Sequence, residues 1–333
     1  MKLRGAISGF GQVAELGHLT GWRATAGVEM VALHEPQAAR RQAALRAFDG
    51  KIRVYEDLEL MLAGEALDFV DIASPPAAHL GAITQALAAG VHVLVEKPLC
   101  LPQQDEARLL ALADDAQRLL MCVHNWKYAP AYRQAFELIK AGRLGQIRHC
   151  AMLRLRTAPA GGAPWRLDPD QGGGILIDHG WHLAYLMPWL IGAAPTQVSA
   201  RINHLEGLDD GADLMVEFAN LASAYVHLSW HAPIRQTRAI IYGDAGWLAI
   251  GEDALELRSR QGATEFFPVT DAPDDSYHAS WFAATAAHFL AALEQGHRGA
   301  LARDNRAEVR AALAWLRAAQ ASAITGRVQA VGG

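Results

Sequence analysis

Three sets of residues in this sequence have types and spacings that could do chemistry. The first, Gly9-Phe10-Gly11-Gln12-Val13-Ala14, has the form GxGxxA. The first glycine permits a tight turn, the second lets backbone approach a pyrophosphate, and the small Ala14 lets a helix pack closely on the preceding strand. The amides and dipole of that helix start favour an anion. Two glycines at a turn are common; here they follow a strand-like run at the chain start and open a helical run, which gives the pattern its weight. Glu35 closes the next strand-like run. A carboxylate there accepts both ribose hydroxyls of an adenosine and repels a 2′-phosphate, so NAD is expected over NADP. Arg40 and Arg41 are the residues that argue for NADP, although a basic pair inside a helix is commonly surface.

The second set is Glu96-Lys97-Pro98 at the end of the apolar run His92-Val93-Leu94-Val95. Ligands bind at the carboxyl ends of strands in open α/β sheets. Pro98 stops the strand. A lysine held there can hydrogen-bond a substrate hydroxyl and stabilise developing negative charge. A strand-end ion pair without chemistry explains the same spacing.

The third set is Gly172-Gly173-Gly174 followed by Asp178 and His182. Residues i and i+4 share a helix face. A carboxylate beside an imidazole orients it and raises its pKa, which suits His182 for proton transfer near neutral pH. A buried structural histidine is the competing explanation, since the chain has 14 histidines. A metal site is not expected, because no third ligand stands at nearby spacing. Ser74-Pro75 with His79, Asn125-Trp126-Lys127 and Trp165-Arg166 are further candidates for cofactor or substrate contact, each equally readable as turn or packing residues.

These residues need elements to position them. Short apolar runs at Leu3–Ser8, Val28–Leu33, Leu67–Ala73, Val91–Val95 and Leu119–Val123 alternate with helical runs from Gln12 and at Gln37–Ala47, Leu80–Ala89 and Pro102–Gln117. That alternation predicts a doubly wound parallel sheet. From about Gly145 the pattern changes to strand-like runs at Ile147–Arg156, Gln197–Asn203, Asp213–Phe218, Ser223–Trp230, Thr237–Tyr242 and Trp247–Ile250. They predict a largely antiparallel sheet. Helices are expected near Trp281–Gln295 and Asp304–Ile324. The fold class is thus an α/β Rossmann domain plus an α+β domain with an open, mostly antiparallel sheet. The expected division is 1–123 for nucleotide binding and 124–333 for substrate binding and oligomerisation, with the last helices free to pack back on the first domain.

Composition is that of a globular chain: 333 residues, 51% hydrophobic and 20% charged, with a net charge of −5. No basic cluster supports nucleic acid or an anionic membrane as a partner. The three cysteines form no CxxC pair. With no signal-peptide pattern at the start, a cytoplasmic location is expected.

Together these motifs resemble the glucose–fructose oxidoreductase/inositol dehydrogenase (Gfo/Idh/MocA) family. The resemblance runs through Gly9 to Ala14, His18-Leu19, Tyr55 to Leu58, Ser74-Pro75 with His79, and Glu96-Lys97-Pro98. It continues through His124-Asn125-Trp126, Leu144-Gly145, Trp165-Arg166, and the glycine loop with Asp178 and His182. It implies an enzyme acting on CH–OH groups of sugars, cyclitols or related polyols, with Lys97, Asp178 and His182 as the catalytic set. Gly9, Phe10, Gly11, Gln12, Val13, Glu35, Ser74, Pro75, His79, Glu96 and Lys97 would hold NAD. Lys97, Asn125, Trp165, Arg166, Asp178 and His182 would meet substrate. A homodimer or homotetramer through the second sheet is also implied. The chain departs from the common pattern at Tyr185, where many members are acidic, at His179, and at Lys127, often an arginine. Two other activities fit the same resemblance: an NAD-dependent glycosidase using transient oxidation, and a non-catalytic dinucleotide-sensing protein.

Overall fold

The computed structural model describes residues 2–159, 164–271 and 277–332. The chain forms two compact units, Met1–Asn125 with Pro273–Val309, and Trp126–Ala272 with Arg310–Gly333.

The first unit holds β1 (Leu3–Ser8), β2 (Val28–His34), β3 (Arg53–Tyr55), β4 (Phe69–Ile72), β5 (His92–Val95) and β6 (Leu120–Cys122). Among the described residues they make a parallel six-stranded sheet in the order β3-β2-β1-β4-β5-β6. The order reverses beside β1, which is where doubly wound sheets bind their ligands. The strand runs are apolar because both faces are covered; every residue of β4 is buried. Helices α1 (Leu19–Ala24), α2 (Ala38–Ala47), α3 (Leu58–Gly64), α4 (Pro76–Ala88) and α5 (Glu106–Asp115) connect them. The side chains of Asp57 and Asp105 cap α3 and α5 by accepting the Leu60 and Arg108 N–H groups, each at 3.0 Å. Helix α4 starts at Pro76, earlier than the expected Leu80, because proline suits the first helical position, where no N–H is needed.

The second unit opens with α6 (Pro130–Lys140) and β7 (Ile147–Thr157), followed by α7 (Trp181–Ile191). Then come β8 (Pro195–Leu205), β9 (Leu208–Phe218), β10 (Ser223–Ser229), β11 (His231–Gly243), β12 (Gly246–Ile250), β13 (Ala254–Ser259) and β14 (Thr264–Pro268). With a short final β15 (Gln329–Ala330) they form a sheet in the order β14-β13-β12-β11-β7-β10-β9-β8-β15. Only β7 and β10 are parallel among the pairs described. Two late helices complete the chain: α8 (Ala279–Gln295) and α9 (Ala300–Thr325). Phe282 and Phe289 of α8 join Ile7, Trp22, Phe69 and Leu94 in the core of the first unit.

Candidate active site

The glycine turn follows β1 directly. Gly9 has φ +92°, and a Cβ there would lie 2.7 Å from the Ser74 backbone nitrogen, so both conformation and space demand glycine. Gly11 is different. A Cβ there would meet only the tip of Arg40, at 3.6 Å. Its small size therefore serves space outside the protein's own packing, as a pyrophosphate requires. Ala14 is fully buried in the first turn of the helix that follows the turn. That helix begins as a π-helix, Val13–His18, before continuing as α1.

Glu35 is buried just past β2. Phe10 N–H donates to its Oε2 and Gln37 N–H to its Oε1, both at 2.8 Å. The carboxylate is thus fixed against the glycine turn. Arg40 reaches the same turn by donating to the Phe10 carbonyl at 3.3 Å, and Arg41 pairs with Glu56. Ser74 Oγ is buried without a hydrogen-bond partner among the described residues. An orphaned hydroxyl beside an open glycine turn fits a polar ligand, and these residues suit NAD. His79 is fully buried, with Nδ1 2.7 Å from the Pro98 carbonyl and Nε2 2.9 Å from the Ser74 carbonyl. It braces the Ser74 and Pro98 loops, so any effect of its side chain on a cofactor is indirect.

At the end of β5, Glu96 has a partner that strand-end spacing alone did not suggest. His18 Nε2 lies 3.0 Å from Glu96 Oε1, and His18 Nδ1 lies 2.9 Å from Asp71 Oδ2. Trp22 Nε1 donates to the same Asp71 oxygen at 2.7 Å. Phe282 stacks on the imidazole at 3.7 Å. Burial disfavours the imidazolium, but Asp71 and Glu96 outweigh it and push the His18 pKa up to about 9. Burial likewise works against the Glu96 carboxylate, and His18 and Lys97 outweigh it to hold its pKa low. Glu96 Oε2 accepts the Lys97 backbone N–H at 3.0 Å. The Lys97–Pro98 bond is cis. His18 and Asp71 were detectable in principle: an aspartate inside the apolar run Phe69-Val70-Asp71-Ile72 must find a buried partner.

In the second unit, Asp178 falls in a π-helical segment, Leu176–Gly180, that runs into α7 and His182. Both residues are buried. Arg166, on the short 3₁₀ turn Pro164–Leu167, donates Nε–H to Asp178 Oδ2 at 3.0 Å, and its guanidinium covers the Trp165 ring. His182 Nδ1 is 3.0 Å from Tyr185 Oη, which accepts the Trp126 N–H at 3.2 Å. The imidazole stacks on Trp126 with centroids 4.6 Å apart. Spacing pointed to Asp178 as the group that orients His182. The geometry adds Tyr185, the position where the chain departs from the acidic pattern. Asn125 precedes Trp126, and its Oδ1 is buried without a partner among the described residues.

The glycine loop has a packing reason. A Cβ on Gly173 would lie 2.5 Å from the Arg166 carbonyl and 2.7 Å from those of Trp165 and Asp168. Close approach of the loop is what brings Arg166 onto Asp178.

Residues 3–124 match the family model for oxidoreductases with an NAD-binding Rossmann fold, and residues 132–249 match the GFO/IDH/MocA C-terminal domain. The chain is a Gfo/Idh/MocA oxidoreductase. As a member of that family it is an NAD-dependent enzyme. Among its relatives is D-apiose dehydrogenase from Paraburkholderia graminis, 29% identical over 89% of this chain and 81% of that protein. Another is 1,5-anhydro-D-fructose reductase from Ensifer adhaerens, 28% identical over 70% of this chain and 71% of that one. In fold it resembles an oxidoreductase from Agrobacterium radiobacter solved with NAD+, L-tartaric acid and magnesium. The TM-score is 0.86 at 19% identity, with coverage of 100% of this chain and 99% of that one.

Proposed function

We propose that this Gfo/Idh/MocA oxidoreductase reversibly oxidises a secondary alcohol of a sugar, cyclitol or related polyol. The observation that carries this reading is the held imidazole of His182: buried, stacked on Trp126, with Nδ1 on Tyr185 Oη. In the tautomer with hydrogen on Nδ1, Tyr185 Oη accepts the hydrogen bond from Nδ1–H, and Nε2 is the nitrogen that takes the hydroxyl proton. Asp178, held by Arg166, favours the imidazolium that forms when the proton arrives. Lys97 stabilises the negative charge that develops on the oxygen. Bound NAD supplies the hydride acceptor. In the reverse direction His182 returns the proton.

The names of the sugar-acting relatives support the substrate class. The Glu35 carboxylate fixed at the glycine turn supports NAD over its 2′-phosphorylated form. Removal of the imidazole in His182→Ala is expected to slow turnover by about 10²–10⁴-fold while NAD binding, followed by calorimetry, survives. Unchanged turnover in that variant would refute the assignment. Assembly as a homodimer or homotetramer through the second sheet belongs to the same proposal.

A further inference from the structure

Side chains of β7 alternate between the two faces of the second sheet. Cys150 and Met152 occupy the buried face, and the same register places Arg154 and Arg156 after them. Successive arginines on a buried face are costly unless something answers their charge. Arg154 is 6% exposed. Its guanidinium lies 4.8 Å over the Trp126 ring and donates through Nη1 to the neutral hydroxyl of Thr237. The Nε atoms of both Arg154 and Arg156 are buried without a hydrogen-bond partner among the described residues.

Arg235 and Arg166 add their charge nearby, and among the described residues Asp178 and Glu252 act on Arg156 in the opposite sense. Asp178 already accepts from Arg166, and Glu252 from the Thr237 N–H. Burial, followed by the neighbouring guanidinium groups, pushes Arg154 down to about 9 and Arg156 down to about 10. Among the described residues, then, the two carboxylates that act on Arg156 already accept from other donors. Trp126 touches both Arg154 and His182, at 4.8 and 4.6 Å, so the cluster lies one aromatic ring from the imidazole.

We propose that Arg154 and Arg156, with Arg235, bind an oxyanion carried by the substrate, so that the enzyme acts on an acidic sugar or polyol derivative. The proposal rests on His182 marking the substrate site, as argued above. A guanidinium presents a planar fork of donors that matches a carboxylate or a phosphate group. The Nε–H groups of Arg154 and Arg156, without a partner among the described residues, are donors of this kind, and a guanidinium hydrogen-bonds an anion more strongly than a neutral hydroxyl.

The test is calorimetric titration of the NAD-loaded full chain with neutral sugars, aldonates, uronates and sugar phosphates, with turnover measured on the same compounds. D-Glucose, D-gluconate and D-glucose 6-phosphate form the matched core of the panel. An anionic member is expected to bind roughly 10–100-fold tighter than its neutral counterpart, as charged hydrogen bonds allow. Which anion wins distinguishes carboxylate from phosphate. Arg156→Gln should erase most of that preference, Arg156→Lys should restore part of it, and the exposed Arg235→Gln gives a second reading if the first variant folds poorly. Equal binding of neutral and anionic members, equal weakening of both in the variants, or no binding by any anion overturns the proposal. Binding is read without turnover, so the two readings fail separately. Turnover without anionic preference leaves the oxidation standing. Arginine-dependent anion binding without reduced cofactor from any compound removes the oxidation alone.

Discussion

His18 has a carboxylate on each ring nitrogen, and that arrangement makes its charge part of the fold. Its pKa is raised from 6.5 to about 9. A raised pKa means that the contribution to stability is complete below the ordinary value of 6.5 and is lost as pH rises through about 9. The melting temperature of the cofactor-free chain is expected to fall across that window, and His18→Gln should flatten the fall. An identical alkaline slope in the variant would contradict the account. Tyr185 offers a second test at the same scale. Tyr185→Phe removes one hydrogen bond to His182, for which about 0.5–1.5 kcal/mol, or up to roughly tenfold in kcat, is expected, with a shifted pH profile. A profile unchanged from wild type would count against Tyr185 as a positioning residue. Sequence showed Asp178 and His182 by spacing, but not Tyr185 as a partner. It also showed that Asp71 needs a buried partner without showing which of 14 histidines supplies it.

Among the elements, the glycine loop and the 3₁₀ turn act as a unit, because the loop can reach Arg166 only where Gly173 has no side chain. Gly173→Ala is expected to cost about 1–3 kcal/mol through overpacking against backbone carbonyls. It should also lower kcat, because Arg166 leaves Asp178. Chemical denaturation and turnover check the two effects together, and full stability with full turnover would show that the close approach is unimportant. The glycine turn and β1 were legible to the residue, since a short apolar run against a GxGxxA turn has few alternatives. The π-helical starts at Val13–His18 and Leu176–Gly180 were not, because over five or six residues their apolar spacing matches an ordinary helix. Strand β13 escaped for another reason. Ala254-Leu255-Glu256-Leu257-Arg258 consists of strong helix formers, and its alternation is too short to overrule them.

For the whole molecule, the outer face of the second sheet is the surface most in need of explanation. Met215, Tyr225, Ala151, Ile240 and Ala249 stand in register across five strands, and Met215 and Tyr242 are exposed. An apolar row on a sheet is the kind of surface a second copy of the chain would cover. Light scattering should find a dimer or tetramer that Met215→Lys weakens; a monomeric wild type would exclude that use of the face. The sequence showed the alternation that creates the row but not which strands lie side by side, because strand order depends on contacts distant along the chain. The same limit hid the docking of α8, whose Phe282 covers His18. No helix among the described residues is long and apolar enough to cross a membrane. The proposed reaction moves a hydride from a carbinol carbon of a polyol to NAD. The most direct measurement uses a substrate found in the panel, deuterated at that carbon, with mass spectrometry of the nicotinamide product. Deuterium is expected in the reduced cofactor, and its absence at early times in His182→Ala. Deuterium absent from the cofactor while substrate is consumed would contradict the proposed reaction.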